Sequence, residues 1–507
     1  MMQMPAPVPR RFGHPLDRLA VALIAALVLV IGVLLFAGDR GAPRVREFNW
    51  HDREVGAMDT AFVLNFSRPM DHESVVNNLK ITPSLPGRIS WAGRRMVYTL
   101  NFPAPYGEAF QLQLQDAQDR FQQGTYHAKM QPFSATFRTR DRVFAYVGTE
   151  GEEAGRLVLY NLTKTEKRLL TPSNLTVFDF KPYPMADRIL FSAVDRAPAA
   201  AQANNNPVPL VEQKLYTVTT GLRVNAPTAS DPQASDLPYS PGDAGQVLEV
   251  LDNQDYQNLK FDLSPDGRTI VVQRVSRKNQ GQSEPWILRS GTAPAPIKLD
   301  QPGGDFLITA DSQSMILAQG EGLSVLPLQE GAEAPSFLPK FGNVLGLARD
   351  NTAAAMVKFN KNYTRSLFLV TGQGEKEILQ TTGSILNAIF DPTKQILYCL
   401  LTELIPGETY QEQPYLAAID LKTAQTAKNP NEALYPLLKL PNQREVKVSL
   451  APDGVALLFD QTVKPSPNGE PTAKTGQLWL LPLASDPKQA LEPQSLPFAG
   501  IHPQWLP

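Results

Sequence analysis

Asp266, Asp311, Asp350, Asp391 and Asp453 are the first residues to weigh as chemistry, because each follows a short, largely apolar stretch. Those stretches are Phe261-Asp-Leu263, Phe306-Leu-Ile308, Leu345-Gly-Leu347, Ala388-Ile-Phe390 and Val448-Ser-Leu450. Recurring carboxylates suit acid–base work or cation binding. Asp in a turn also accepts hydrogen bonds from nearby backbone N–H groups, and that structural role is the one expected here. Asp252-Asn-Gln-Asp255 offers oxygens of the kind calcium takes, but the remaining loop ligands are missing. His14, His51, His72, His127 and His502 are scattered, and no pair has metal-ligand spacing. The chain has no H-E-x-x-H, C-x-x-C, G-x-S-x-G, P-loop or strand-linked G-x-G-x-x-G. No catalytic, cofactor-binding or metal residue is therefore expected, no cofactor is expected, and binding residues stay unassigned.

The remaining reactive or aromatic groups read as packing. Cys399 lies in the apolar run Ile396-Leu-Tyr-Cys-Leu-Leu401, which predicts a buried, inert thiol. Trp91, Trp286, Trp479 and Trp505 are expected in cores rather than stacked on a ligand. A net charge of −2 gives no electrostatic reason to expect nucleic acid.

The elements that carry the aspartates are hairpins. Phe261 to Arg274 reads as a strand, a turn at Ser264-Pro265-Asp266-Gly267, and a β-branched strand from Thr269. Pro265 pre-sets φ at a turn position and Gly267 tolerates positive φ, so the chain reverses in a few residues. Worn copies recur: the aspartates at 266, 311, 350 and 391 stand 45, 39 and 41 residues apart. That period is the length of one four-stranded propeller blade. The longer gaps, one from Asp187 to Asp266 and one from Asp391 to Asp453, are assigned to inserts. The first, 196–245, is rich in Ala, Asn, Pro and Ser and reads as surface loop.

Seven strands such as Arg156-Leu-Val-Leu-Tyr160 and Gln477-Leu-Trp-Leu-Leu481 follow the hairpins, so seven blades are expected over 141–507, with six or eight as alternatives. The first blade lacks a leading strand. Gly500 to Pro507 supplies it from the other end, which would close the ring and remove an exposed edge. Leu263-Ser-Pro-Asp-Gly-Arg-Thr-Ile270, Leu450-Ala-Pro-Asp-Gly454 and His502-Pro-Gln-Trp505 resemble the repeat of TolB-type propellers. The resemblance implies a platform for protein contacts in a bacterial envelope.

Ahead of the repeats, 45–140 alternates short strands with turns, as in a small β-sandwich. Phe66-Ser-Arg-Pro-Met-Asp71, Ile81-Thr-Pro83, Gly87-Arg-Ile-Ser-Trp91 and Tyr98-Thr-Leu100 resemble the bacterial Ig-like domain of surface-layer proteins, and the resemblance implies a spacer or adhesive module. Asp116-Ala-Gln-Asp-Arg120 replaces that family's usual Asp-x-x-Gly-Asn loop.

At the start, Leu19 to Ala37 is apolar without a charged side chain, and about 1.5 Å per residue nearly matches a hydrocarbon core of roughly 30 Å. The expectation is an uncleaved transmembrane signal anchor over 19–38 behind a short cytoplasmic tail, 1–18. A removed secretory signal is the rival, because Arg10, Arg11 and Arg18 form a basic flank. Arg40, Arg44 and Arg46 balance them, so orientation rests on the short tail, which favours N-in. The chain then reads as an all-β protein of the bacterial inner membrane. Its partners would be the bilayer, through 19–37, and an envelope protein, peptide or glycan. A hydrolase or lyase working in the central channel, and a spacer without ligand, are the alternatives.

Overall fold

The computed structural model describes residues 15–37, 42–123, 126–196, 212–222, 242–299, 301–329, 336–407, 410–441, 443, 445–463, 474–484 and 486–507. A helix runs from Pro15 to Ala37, and its described side chains, 18–32, are all exposed. Among the described residues, no helix is long and apolar enough to cross a membrane.

Residues 45–139 form two four-stranded sheets and a two-stranded one, Gln118–Gln123 with Tyr126–Lys129. Alternate residues of Ala61–Phe66 turn inward, and Phe62, Leu64 and Phe66 meet Phe110, Leu112 and Leu114 of the other sheet in one core. Trp50 is 1% exposed at its centre. The phrase at 67–71 does more than turn the chain. Met70 is fully buried, and Asp71 caps an unexpected helix, His72–Asn78, by accepting from Ser74 N at 2.7 Å.

Past residue 140 the described strands make seven four-stranded sheets. They are numbered here as blades 1 to 7 in chain order, with the strands of each blade counted outward from the axis. Blade 1 takes its innermost strand, Gly500–Trp505, from the far end of the chain, where Phe144 pairs with Trp505 and Gly148 with Gly500. Each seam between neighbouring blades has its own apolar cluster. The strand Val143–Gly148 shows how. Val143, Ala145 and Val147 pack toward blade 2, while Phe144 and Tyr146 pack toward blade 7 with Leu458, Leu478 and Trp505. Such alternation buries both faces of every sheet, which is why these strands read as continuous apolar runs. The seam between blades 7 and 1 makes the ring closed, as the sequence led us to expect.

Two details differ from the sequence reading. The stretch 196–245, read as one insert, is interrupted by one of the seven expected strands, Lys214–Val218, which forms the third strand of blade 2, Lys214–Thr219, hydrogen-bonded to strands on both sides. It is therefore two connections flanking a blade strand, and residues 197–211 and 223–241 lie outside the described residues. The turns also align differently. The equivalent positive-φ position is Ala186, Gly267, Ser312, Asn351, Lys394 and Gly454 in blades 2 to 7. In blade 6 the residue matching Asp266 is thus Thr393, and Asp391 stands two places earlier.

The sandwich sits on the propeller face that carries these first-to-second-strand turns, hereafter the turn face. Tyr106 N donates to Asp453 Oδ2 at 2.8 Å, and the Arg140 guanidinium donates to the Pro507 carbonyl at 3.1 Å. Gly107, at φ 79°, stands where a Cβ would meet Thr163 Oγ1 at 2.8 Å. Tyr106 is 3% exposed, and burial raises its hydroxyl pKa. The nearby Arg349 guanidinium is pushed down by burial and donates to the Pro452 carbonyl at 2.9 Å.

Candidate functional site

The recurring aspartates serve the turns. Asp266 Oδ1 accepts from Ser264 Oγ at 2.6 Å and Arg268 N at 3.0 Å, and Asp311 Oδ1 accepts from Thr309 Oγ1 and Gln313 N in the same way. Asp391 accepts from Gln395 N and Ile396 N, both at 2.6 Å. Neighbouring turns are stitched together as well. Asn351 Nδ2 donates to Asp311 Oδ2 at 2.9 Å, and Lys394 Nζ reaches Asp350 Oδ2 at 2.5 Å. That contact holds the Asp350 carboxyl down to about 2. Asp453 departs from the pattern, because its second oxygen holds the sandwich.

Other residues singled out in the sequence also take structural places. Asp252 and Asp255 pair with Arg274 and Lys278 at 3.9 and 3.6 Å and do not converge on a common point. Arg274 stands against both rings of the touching pair Tyr256 and Trp286, 4.7 and 5.0 Å from their centroids, so Trp286 packs a cation inside blade 3. Cys399 is 1% exposed, and burial raises its thiol pKa far out of the reactive range. Among the described residues, no group of three His, Cys, Asp or Glu side chains could hold a metal ion.

The chemistry that the sequence reading missed lies on the innermost strands. These strands form the inner edge of each sheet and touch their counterparts in neighbouring blades. Residues two apart on such a strand share a side. In blades 2 and 3 those pairs are Asp179 with Lys181 and Lys260 with Asp262, with Asp305 at the matching place in blade 4. Lys447 precedes the innermost strand of blade 7, and His502 lies on that of blade 1. A β-bulge just before Asp179, Lys260 and Asn387 gives blades 2, 3 and 6 the same kink.

The charges are interlocked. Lys181 Nζ stands 3.4 Å from Asp262 Oδ1, which raises the pKa of that ammonium. Asp262 Oδ2 accepts from Ile308 N of blade 4 at 3.0 Å, so one carboxylate joins three blades. Lys260 Nζ bonds Asp305, donates to the Phe306 carbonyl at 3.2 Å and lies 5.2 Å from that ring's centroid. Desolvation of the ammonium, helped by the nearby Lys181 and Lys447 charges, outweighs the attraction of Asp262 and Asp179 and pushes it down to about 8. On the other side of the axis, Asp460 Oδ1 and Oδ2 accept from Lys447 N at 2.6 Å and His502 N at 2.8 Å, and burial raises the Asp460 carboxyl pKa. His502 Nδ1 is buried without a hydrogen-bond partner among the described residues. The arrangement is an arc of alternating charge over blades 2 to 4, in which Asp262 is buried while Lys260 and Asp305 are open to water, and it suits a ligand carrying both signs.

A cleft of about 320 Å³ between the sandwich and blades 1 and 2 is a weaker site. Its charges are already paired, as Arg138 with Glu54 at 2.5 Å and Lys164 with Asp141 at 2.6 Å.

These observations define a class: a closed seven-bladed β-propeller with a β-sandwich docked on its turn face. No family model matches the chain, and no curated protein matches it. Solved structures do resemble it. TolB from Acinetobacter baumannii is 10% identical, with a TM-score of 0.39, over 85% of this chain and 83% of that one. A 6-phosphogluconolactonase of Bacteroides fragilis, itself described as putative, is 10% identical at a TM-score of 0.43, over 72% and 98%. The tricorn protease is 10% identical at a TM-score of 0.38, over 86% of this chain and 43% of its own. At these scores the likenesses carry no functional argument, and the propeller assignment rests on the seven sheets and their seams.

Proposed function

We propose that the chain is a single-pass protein of the bacterial inner membrane whose propeller binds a protein, peptide or glycan partner in the envelope. In this reading 19–37 is the anchor, the N-terminus is cytoplasmic, and an Ig-like sandwich carries the propeller on its turn face. The anchor rests on the uninterrupted apolar run 19–37 of the sequence, which extends beyond the helical side chains described, 18–32. The observation that carries the binding role is the Lys181, Asp262, Lys260 and Asp305 cluster, since a closed ring that merely spaced two objects needs no solvent-accessible charges of both signs gathered at its axis.

Site-specific photocrosslinking in cells from positions 260 and 447, with position 422 on the short helix Leu421–Thr426 that follows the third strand of blade 6 as control, tests this reading. One reproducible partner from the axial positions alone is the expected result. Equal adducts from position 422, or none from any position, would reject it. Protease accessibility of the propeller in spheroplasts tests the orientation, and a protected propeller would sink the localisation.

One observation favours an enzymatic second reading. An amine with a pKa of about 8 beside Asp305 is partly unprotonated near neutral pH and so available as a base or nucleophile. Turnover of a lactone or peptide substrate that disappears with Lys260→Met, while partner crosslinking from position 447 persists, would establish it.

A further inference from the structure

The sandwich covers part of the turn face, so the opposite face, where second strands lead to third strands, is the broad one left open. Its apolar side chains are not spread evenly. In blade 5, Phe359 is 60% exposed and Tyr363, on the following turn, is 92% exposed. In blade 6, the bulged Leu386 is 45% exposed, and Leu404, Ile405 and Tyr410 are 39%, 40% and 73% exposed. Arg365 ties the two blades together. Its guanidinium donates to the Gly383 carbonyl at 2.9 Å, just before the innermost strand of blade 6, and its charge acts on Tyr410 and Glu412.

The charge of this patch is one-sided. Glu403 is taken by Lys439 at 2.8 Å, and Glu412 accepts from Thr402 Oγ1 at 2.6 Å and faces Arg365. Lys361, two residues beyond Phe359 and two before Tyr363, has no ion-pair partner among the described residues, and Arg365 adds a second cation. An aromatic patch with spare positive charge is complementary to a surface that combines apolar and acidic groups. Two arguments favour a protein segment over lipid. The helix Pro15–Ala37 leads within a few residues into the sandwich, which holds the other face of the propeller. The aromatic groups also sit on adjacent blades as separate prominences around Arg365, a shape that suits side chains entering one by one.

We propose that the edge of blades 5 and 6 opposite the sandwich docks a protein segment bearing acidic side chains interspersed with apolar ones. This deepens the binding role proposed above and rests on it, but it uses a surface separate from the axial charges.

The test uses the full chain in a phosphatidylcholine nanodisc and a fluorescein-labelled dodecapeptide of Glu, Asp, Leu and Phe in mixed order. Saturable binding by anisotropy is expected. Tyr363→Ser with Lys361→Glu should weaken it at least tenfold, and so should replacing the acidic residues of the peptide by Lys. Lys260→Ala should leave the affinity within twofold. Both patch substitutions are on the surface, so an unchanged thermal midpoint is expected and separates lost binding from lost folding. Absence of saturable binding, or equal binding of the Lys peptide, overturns the proposal. A loss confined to Lys260→Ala would overturn it while leaving the axial site standing. Binding of phosphatidylglycerol vesicles without the peptide, or a concentration-dependent dimer abolished by the patch variant, would assign the surface to lipid or to a second copy instead.

Discussion

Replacing Asp453 by Ala separates two roles that its relatives do not combine. One oxygen accepts from Val455 N within its own turn at 3.4 Å, as the aspartates of other blades do. The other accepts from Tyr106 N of the sandwich at 2.8 Å, where Asp453 is 5% and Tyr106 3% exposed. Truncation leaves that amide buried with no acceptor, at a cost of about 1–3 kcal/mol. It also removes a carboxylate that acts on the Arg349 guanidinium. A loss of about 2 kcal/mol at this joint corresponds to roughly 30-fold faster exchange of the Tyr106 amide proton. Hydrogen exchange read by mass spectrometry on a peptide covering 104–108 measures it directly. Asp266→Ala is the control, since it removes comparable turn bonds without touching the sandwich, and there the Tyr106 amide should keep its protection. Asp453→Asn retains an oxygen acceptor and should fall within a few-fold of the parent. Unchanged exchange in Asp453→Ala, or equal acceleration in Asp266→Ala, would refute the view that this residue holds the two modules together.

Three further outcomes follow from the same contacts. Lys394 holds Asp350 near 2, below its ordinary 3.8, so the pair stabilises the fold above pH 4 and that contribution disappears as pH falls toward 2. Because half of the carboxylate side chain is in water, the gain is a few tenths of a kcal/mol, about the usual size for a surface pair. The difference in urea midpoint between the parent and Asp350→Asn should close between pH 4 and pH 2, and a constant difference would rule this out. Lys260 has the opposite sign. Its lowered pKa means that the folded state disfavours the charged form, so the parent should gain stability relative to Lys260→Met as pH rises from about 8 toward 10.5. A flat difference over that range would show the ammonium to be unperturbed. Trp505→Ala empties a site 6% exposed, with Phe144 edge-on at 5.6 Å, and should cost about 3–5 kcal/mol by urea unfolding. A loss under about 1 kcal/mol would mean that the last strand does not hold the ring shut.

The architecture was legible where it is local. Pro265, Asp266 and Gly267 announce a turn within four residues, and the apolar strands beside such turns repeat at blade length, so blade number and ring closure could be read from one chain. Blade 6 misled because its turn places Lys394 at positive φ, where no glycine marks the spot. The buried strand Lys214–Thr219 was visible as Leu215-Tyr-Thr-Val218, yet the composition around it pointed to loop. The axial charges left a faint trace, Asp-Phe-Lys at 179–181 and Lys-Phe-Asp at 260–262. Their meaning depends on neighbours far away in sequence, since Asp262 is completed by Lys181 and by Ile308 N. The tie between Tyr106 and Asp453 spans 347 positions, and no local pattern reports such a meeting.

The closing pair Phe144 and Trp505 also sets a schedule. These partners are 361 positions apart, against five for the hairpin ends Ser264 and Thr269. Loop-closure entropy growing as 1.5 RT ln n makes the longer closure dearer by about 4 kcal/mol, unless the intervening blades assemble first and shorten it. At roughly 5–20 residues per second, the edge of Val143–Gly148 waits on the order of tens of seconds before its mate is synthesised. Through that interval a strand whose side chains are all buried in the closed ring keeps an open hydrogen-bonding edge and uncovered apolar side chains. The moment of greatest hazard for this protein therefore comes before it is complete, when its first blade can still pair with the wrong chain.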